Sequence, residues 1–314
     1  MKDKYITAFA PASIGNVGVG FDMLGLAIEN VGDRVSARKT EEKGVRIKEI
    51  YDLNGEAHSL LSKNTEENTA SISASRLWES QSQSCGLELV IHKGIPLQSG
   101  MGSSAASAVA GAVVANALLE NPLSKTEVLM YALEGEKFAS GGLHADNVAP
   151  SLFGGLVFCP KHNLPNTSSI KMPDTLSSIV LHPELKIDTS ESRLRLKKHY
   201  SLNVLLEQQS YLAGFFLGVI QNDITLIREN LKDILIEPQR VSDVPCFKKI
   251  QEIVLNNGAL GCSISGSGPS IFAICENNKS SQLERLMRES CLNQGYDCQT
   301  WISQSNSKGS AIED

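Results

Sequence analysis

A glycine- and serine-rich segment over residues 94–106 carries the clearest chemical signal in this chain of 314 residues. It reads GIPLQSGMGSSAA and runs into small apolar residues that predict a buried helix from Ser103. Gly100 and Gly102 allow backbone N–H groups to face inward without a Cβ, and a helix N-terminus adds partial positive charge. Glycines, serines and a helix start in this order are typical of a phosphate-binding loop.

Two common phosphate-binding motifs do not describe this loop. Neither Gly-Lys-Ser nor Gly-Lys-Thr occurs in the sequence, which excludes a Walker A loop. Ala105 takes the place of the last glycine of G-x-G-x-x-G, which weighs against a dinucleotide-binding fold. Taken alone, such a segment is more often a structural turn before a core helix, so the rest of the chain must decide.

The composition is that of a globular protein, with 41% hydrophobic and 20% charged residues. A formal charge of -6 offers no overall basic field for nucleic acid. The apolar stretches over 108–119 and 211–220 are shorter than the roughly 20 residues that span a bilayer. The N-terminus lacks the apolar core of a secretory signal, and seven cysteines without a C-x-x-C fit reduced thiols. We therefore predict a cytoplasmic protein with small-molecule substrates, without nucleic acid or membrane partners, and leave a homodimer open.

Hydrophobic periodicity predicts strands and helices in two parts of the chain. The first part has strands over 5–14 and 86–92 and helices over 66–79, 103–120 and 125–141. The second has strands at 178–181 and 270–275 and helices over 200–217, over 245–256 and from 281. Ser124 and Glu127 form a capping-box pattern before the third helix. A polar stretch over 160–169 marks the boundary, and the polar tail over 303–314 is expected to be loose.

Three segments resemble the motifs of the GHMP kinases, a family of ATP-dependent small-molecule kinases. The loop PLQSGMGSSAA is similar to the family's ATP-phosphate loop, and residues 11–25, PASIGNVGVGFDMLG, resemble its first motif. Residues 258–270, GALGCSISGSGPS, resemble the third motif, which folds back toward the phosphates. The resemblance implies a two-domain α+β GHMP kinase fold with the site between the domains. Its ribosomal protein S5 domain 2-like N-terminal domain would cover 1–168, and its ferredoxin-like C-terminal domain 169–302.

The resemblance also assigns the nucleotide and metal residues. Mg²⁺ would be held by Glu136 together with the hydroxyl of Ser103 or Ser104, which makes Glu136 and Ser103 catalytic. Helical periodicity alone does not choose between Glu136 and Glu134. Helix capping is the alternative role for Asn68. The residues expected to bind ATP are Pro96, Leu97, Gln98, Ser99, Gly100, Met101, Gly102, Ser103, Ser104, Ala105, Ala106 and Asn68.

Residues 140–150, SGGLHADNVAP, are most similar to the branch of the family that phosphorylates homoserine. Asn147 stands where many GHMP kinases carry an aspartate proposed as the base. An amide can orient a hydroxyl but cannot deprotonate it. The resemblance therefore implies phosphoryl transfer to L-homoserine, a step toward threonine, through positioning and charge stabilisation with Asn147 as a catalytic residue.

An amino-acid substrate needs a guanidinium for its carboxylate and oxygen ligands for its ammonium group. Residues 189–196 and 237–240 resemble the family's two arginine segments, so the resemblance implies Arg193 and Arg240 for the carboxylate, with Arg195 as the alternative to Arg193. The other substrate contacts implied by the matching motifs are Asn16, Asp22, His144, Asp146 and Asn147. Two other functions stay open: a GHMP kinase for mevalonate-type or sugar substrates, and a non-catalytic ATP-binding sensor of the same fold.

Overall fold

The computed structural model describes residues 4–187 and 189–313, which fold into two β-sheets flanked by helices. The strands are β1 (Ile6–Gly15), β2 (Leu24–Thr40), β3 (Val45–Tyr51), β4 (Gly86–His92), β5 (Leu156–Phe158), β6 (Ser168–Ile170), β7 (Leu176–Pro183), β8 (Gly261–Ile264), β9 (Ile271–Glu276), β10 (Cys298–Gln304) and β11 (Ala311–Glu313). The helices are α1 (Thr69–Ser80), α2 (Ser103–Ala117), α3 (Lys125–Ser140), α4 (Ala145–Phe153), α5 (Thr189–Leu194), α6 (Leu202–Gln221), α7 (Ile224–Asn230), α8 (Glu237–Arg240), α9 (Phe247–Asn256) and α10 (Ser280–Leu292).

The larger sheet forms the N-terminal part of the molecule, with strand order β11-β1-β2-β4-β3 and with β5 paired to both β2 and β6. β1 and β2 are antiparallel, whereas β3 and β4 are parallel and are joined through α1. Small side chains let α2 lie close to β1 and β2, and Ala105, Ala106 and Ala110 are fully buried there. This packing fixes where α2 begins.

Helix α3 brings Glu136 toward the start of α2. Its N-terminus has the predicted capping box, in which the Ser124 hydroxyl accepts from the Glu127 amide and the Glu127 carboxylate accepts from the Ser124 amide. Gly135 allows α3 to approach α1 closely, because a Cβ at this position would lie 2.1 Å from Ser73 Oγ. Any side chain at position 135 would push α3 outward and move Glu136.

The second sheet is antiparallel with strand order β10-β7-β9-β8. In chain order, β7 is followed by helices that end with α9, then by β8, β9, α10 and β10. Helices α9 and α10 pack on each other, and α10 also contacts β7 and β10. This βαββαβ order with these strand neighbours is the ferredoxin-like arrangement, as predicted.

The boundary between the two sheets lies slightly later than the predicted position between 168 and 169. β6 pairs with β5 in the first sheet, so the N-terminal part includes Ile170, and the second sheet begins at Leu176. The two parts share a core, because Phe215 and Val219 of α6 and Phe272 of β9 belong to the same hydrophobic cluster as the N-terminal sheet. This common core holds the two parts together.

The prediction of a loose tail is wrong for the described residues up to 313. β10 continues to Gln304, and β11 pairs with β1 so that Ile312 lies opposite Ala8. Ser307 is buried and donates a hydrogen bond of 2.9 Å to the Ala27 carbonyl. Polar composition did not prevent order here because the serine hydroxyls find backbone acceptors.

Two observations concern the chain as a whole. In residues 4–187 and 189–313, no helix combines the length and the apolar character that crossing a membrane requires. All seven cysteines lie in this part of the chain as free thiols, most of them buried.

Candidate active site

Three segments that are distant in sequence meet at the start of α2. The amide of Ser13 in β1 donates to the Met101 carbonyl at 3.0 Å. The Ser265 hydroxyl donates to the Gly100 carbonyl at 2.7 Å, and the amide that follows it donates to the carbonyl at the end of β1 at 3.1 Å. The structure therefore brings together the three segments singled out in the sequence.

A cavity of about 560 Å³ opens at the N-terminus of α2. Gly102 is the residue before the helix, with a left-handed φ of 68°, and no side chain in the described residues caps the helix. The first backbone N–H groups therefore remain available to an anion, with the helix dipole adding to the attraction. The predicted residues that line this cavity are Asn68, Leu97, Gln98, Ser99, Gly100, Gly102, Ser103, Ser104, Glu136 and Asn147.

Some predicted loop residues lie outside the lining that the described part of the chain provides. Met101, Ala105 and Ala106 are fully buried in the core, and Pro96 is not part of the cavity wall. The side chains of Met101, Ala105 and Ala106 pack in the core, so they support the loop rather than face a ligand. The sequence could not separate these residues from their neighbours, because both sets belong to one motif.

Asn68 has the capping role that was its alternative. Its Oδ1 accepts from the Ala70 amide at 3.1 Å, and its Nδ2 donates to the Ser62 carbonyl at 3.4 Å. It still forms part of the cavity wall, next to apolar residues that the sequence analysis missed. Leu60 and Phe138 line the same cavity although they are 75% and 54% exposed. Exposed apolar side chains at a cavity are a signal for a ring-shaped or apolar ligand group.

Glu136 lies inside the protein at the cavity wall. Its carboxylate accepts a hydrogen bond from Ser104, but Oε2 is buried without a partner among the described residues. Burial raises the pKa of Glu136 to about 7, the hydrogen bond from Ser104 opposes this shift, and Asp146 adds to it. A buried, unpartnered carboxylate oxygen fits a cation. Glu134, in contrast, is half exposed on the same helix, 3.7 Å from Arg76.

Any metal at this position depends on few protein oxygens. Among the described residues, no group of three or more His, Cys, Asp or Glu side chains could hold a metal ion by itself. Ser103 Oγ donates to the Ile95 carbonyl at 3.2 Å, and its oxygen keeps lone pairs. The residues present therefore fit a Mg²⁺ bound by Glu136, by a serine oxygen and mainly by phosphates.

Next to this cavity, but outside its lining, two arginines converge on the ring of Phe21. Arg193 pairs with both oxygens of Asp22, with Nη1–Oδ2 at 2.9 Å and Nη2–Oδ1 at 2.5 Å. Arg240 is buried and donates from Nη1 to the Gly266 carbonyl, while its Nε has no partner in the described part of the chain. Such convergent donors are what a carboxylate ligand requires.

The alternative arginine lies elsewhere. Arg195 pairs with Asp243 at 2.7 Å and is 60% exposed. His144 supports Arg193 instead, because His144 Nδ1 lies 3.3 Å from Arg193 Nη2. Burial and, secondly, the charge of Arg193 lower the pKa of His144, so the ring is neutral near pH 7 and can accept a hydrogen bond from the guanidinium.

Asp146 and Asn147, at the start of α4, lie close to β1. Ser13 Oγ donates to Asn147 Oδ1 at 2.9 Å, and Asn147 Nδ2 donates to Asp146 Oδ2 at 3.4 Å. Burial and, secondly, the charge of Asp22 raise the pKa of Asp146 to about 7. Asn16 Oδ1 accepts from the Asp22 amide at 3.0 Å, which fixes the turn that carries this aspartate. The Asn147 amide is thus held at both ends.

Comparison with known proteins identifies the family. Residues 68–155 match the GHMP kinases N terminal domain, and residues 215–299 match the GHMP kinases C terminal region. A homoserine kinase from Xylella fastidiosa (strain 9a5c) is 40% identical over 306 residues, which is 97% of this chain and 93% of that protein. The chain belongs to the GHMP kinase family.

Two further homoserine kinases resemble this GHMP kinase over nearly its whole length. One from Chlorobium phaeobacteroides (strain BS1) is 36% identical over 319 residues, covering 98% of this chain and 99% of that protein. A crystal structure of homoserine kinase from Cytophaga hutchinsonii has 37% identity and a TM-score of 0.94, covering 100% of this chain and 98% of that one. The predicted family and two-domain fold are confirmed, and GHMP kinases use ATP as a substrate.

Sequence analysis missed a buried ion pair beside the phosphate loop of this GHMP kinase. The Lys93 ammonium donates to the Asp33 carboxylate, to Ser107 Oγ at 2.6 Å and to the Ser103 carbonyl at 3.1 Å. All three of its donors are used, so Lys93 fixes the start of α2 rather than binding a ligand. The available signal was a lysine directly after an apolar strand and directly before Gly94.

Proposed function

We propose that this GHMP kinase transfers the γ-phosphate of ATP to the side-chain hydroxyl of L-homoserine, giving O-phospho-L-homoserine, a step toward threonine. The homoserine kinases that it resembles support this substrate. The observation that carries it is the convergence of Arg193 and Arg240 beside the motif segments, with the buried Nε of Arg240 unpartnered among the described residues. Free thiols support a cytoplasmic setting.

The substrate's charged ends would bind at the arginines and at Asp22. The carboxylate of homoserine takes the guanidinium donors of Arg193 and Arg240. In the structure the Asp22 carboxylate accepts hydrogen bonds from the Arg193 guanidinium. When the substrate binds, its carboxylate takes the place of the Asp22 carboxylate at Arg193. Asp22 is then free for the ammonium group, next to Asn16. A substrate without a carboxylate gains nothing from this exchange.

The reaction depends on positioning and charge stabilisation rather than on a base at Asn147. The Ser13 hydroxyl fixes Asn147, so its amide orients the attacking hydroxyl without removing the proton. The open N–H groups of α2 bind the phosphates and stabilise charge in a loose transition state. Mg²⁺, when bound, neutralises phosphate charge, and Glu136 with Ser103 or Ser104 would hold it. The adenine would lie against Leu60 and Phe138, where the cavity wall is apolar.

A substrate screen tests the proposal. Purified protein is given ATP with and without Mg²⁺, and ADP release is measured with homoserine, threonine, mevalonate and galactose. We expect Mg²⁺-dependent ADP release that is strongest with homoserine. Preference for mevalonate or galactose would assign another GHMP activity. Nucleotide binding without ADP release above a Glu136→Ala control would indicate the sensor function.

The Arg193→Ala variant should lose affinity for homoserine. Removing a guanidinium that binds a partly buried carboxylate costs about 2–3 kcal/mol, which raises the KM for homoserine about 30- to 150-fold and leaves the KM for ATP nearly unchanged. Arg195→Ala is the matched control, since Arg195 is an exposed arginine paired with Asp243. Equal KM values for homoserine in the two variants would contradict the assignment of Arg193.

The Asn147→Asp variant should not gain activity. Position 147 adjoins Asp146, so the new carboxyl would share a buried site with an existing one, and at least one of the pair would stay protonated near pH 7. We expect kcat to fall about tenfold because the hydrogen bonding that holds the amide is disturbed. The measurement is kcat against pH for both proteins. A large increase in kcat would show that a base had been missing.

A further inference from the structure

Phe21 lies between the two arginines that converge in the site. The Arg193 Cζ is 5.4 Å and the Arg240 Cζ 5.5 Å from the centroid of its ring. Arg193 belongs to α5 and Arg240 to α8, so the two side chains reach this ring from different elements. Phe21 itself is half-buried in the turn between β1 and β2. It is the shared neighbour of both guanidinium groups.

Two guanidinium groups beside each other repel, and their repulsion must be offset. Arg193 is among the causes that lower the pKa of Arg240, after burial, which shows that the two charges interact. The face of an aromatic ring carries negative electrostatic potential and attracts cations within about 6 Å of its centroid. The charges of Asp22, Asp233 and Asp146 offset part of this repulsion, and the ring of Phe21, which contacts both cations, adds an attraction that the two arginines share.

One of the two arginines, Arg193, already binds a carboxylate. Asp22, the residue after Phe21, has a φ of 57° and places its carboxylate against both Nη atoms of Arg193. Arg240 is held separately, by the Gly266 carbonyl, and keeps an unpartnered Nε among the described residues. The ring of Phe21 and the carboxylate of Asp22 therefore contact the arginines from the same turn, between β1 and β2.

We propose that Phe21 is the positioning residue that holds Arg193 and Arg240 as one carboxylate-binding fork, an inference that rests on the proposed function. An aliphatic side chain of similar size can fill the same space but offers no face with negative potential. The ring therefore acts on the affinity for the carboxylate of the substrate, not on ATP binding and not on the transfer step.

The first test is the Phe21→Leu variant. We expect the KM for homoserine to rise about tenfold, equivalent to about 1.4 kcal/mol, with kcat changed less than about threefold and the KM for ATP unchanged. Phe21→Tyr keeps the aromatic face and should restore the KM. The matched control is Phe9→Leu, because Phe9 is also half-buried and lies 4.8 Å from the Cζ of Arg34, outside the site.

A second readout separates carboxylate binding from general packing. 3-Aminopropan-1-ol has the ammonium and hydroxyl groups of homoserine but no carboxylate, and its inhibition constant against homoserine can be measured in each variant. We expect Phe21→Leu to leave that constant unchanged. An equal loss of affinity for this analogue, failure of Phe21→Tyr to restore the KM, or an unchanged KM in Phe21→Leu would overturn the inference alone. Absence of homoserine-dependent ADP release from the unmodified protein would overturn the proposed function and the inference together.

Discussion

Glu136→Gln should abolish turnover and, in the absence of metal, make the protein more stable. The loss of a buried carboxylate that fits a Mg²⁺ removes several kcal/mol of transition-state stabilisation, so kcat should fall at least about 10³-fold. The gain in stability has a separate origin. The pKa of Glu136 is raised from 4.5 to about 7, so keeping this carboxylate ionised inside the protein costs on the order of 3 kcal/mol.

The sign of the stability change follows from proton binding. Below about pH 4.5 the carboxyl is protonated in the folded and unfolded states, and its charge costs nothing. Between pH 4.5 and about pH 7 the carboxyl releases its proton readily only in the unfolded state, so the stability of the folded protein falls as pH rises. Above about pH 7 the full cost of the buried charge is present. Glutamine cannot ionise, so it removes the cost of a buried charge. Burying its neutral amide still costs part of that free energy. We expect a gain of about 1–2 kcal/mol at about pH 8 and a smaller gain at about pH 5.

Thermal unfolding at the two pH values, with and without Mg²⁺ and ATP, measures this effect. Addition of Mg²⁺ and ATP should raise the Tm of the unmodified protein and raise the Tm of Glu136→Gln by less. Glu134→Gln is the matched control, because Glu134 lies on the same helix, is half exposed and should change stability by less than about 0.5 kcal/mol. Normal turnover in Glu136→Gln, or complete loss of turnover in Glu134→Gln, would refute the assignment of Glu136 to the metal.

Gly102→Ala should have the second large effect, a loss of about 10²-fold in kcat/KM for ATP. A Cβ at position 102 would lie 2.5 Å from Ser13 Oγ and 3.0 Å from Asn147 Oδ1. These two atoms form the hydrogen bond that holds Asn147. One methyl group therefore disturbs both the N-terminus of α2 and the amide that orients the substrate hydroxyl. ATP affinity by calorimetry and steady-state kinetics measure the two consequences.

Gly141→Ala provides a control for backbone strain. Gly141 has a φ of 70°, nearly the same as Gly102, but a Cβ there meets nothing within 4 Å in the described structure. Both variants should therefore lose about 1–2 kcal/mol of stability from the left-handed conformation. Only Gly102→Ala should lose ATP affinity. If Gly141→Ala reduced activity equally, strain or instability would account for the result and the loop assignment would lose its support.

Much of the fold and the outline of the site could be predicted from the sequence. The segments around Gly100, Asn16 and Gly266 are motifs in which several residue types occur at fixed spacing. Such patterns can be recognised in the sequence without knowing which distant residues they contact. Helix α3 was predicted together with its cap because a capping box is a local signal. These features depend on neighbours in sequence.

The remainder depends on contacts that no local pattern contains. Lys93 and Asp33 are 60 positions apart, and although Lys93 directly follows an apolar strand, no local pattern identifies Asp33 as its partner. The choice between Arg193 and Arg195 required knowledge of where Asp22 lies. The prediction for residues 303–314 was wrong for the same reason. Its serines are typical of a solvated segment, and they are ordered here because distant backbone carbonyls accept their hydrogen bonds.

The pairing of β11 with β1 has a consequence for biosynthesis. Strand β1, which begins the nucleotide-binding half, pairs along one edge with residues 311–313, which come later in the chain than every other helix and strand described above. Until the ribosome has released them, that edge of the sheet exposes unpaired N–H and C=O groups, a template for association between nascent chains. Deletion of residues 311–313 should therefore promote aggregation of a protein whose catalytic residues are all intact.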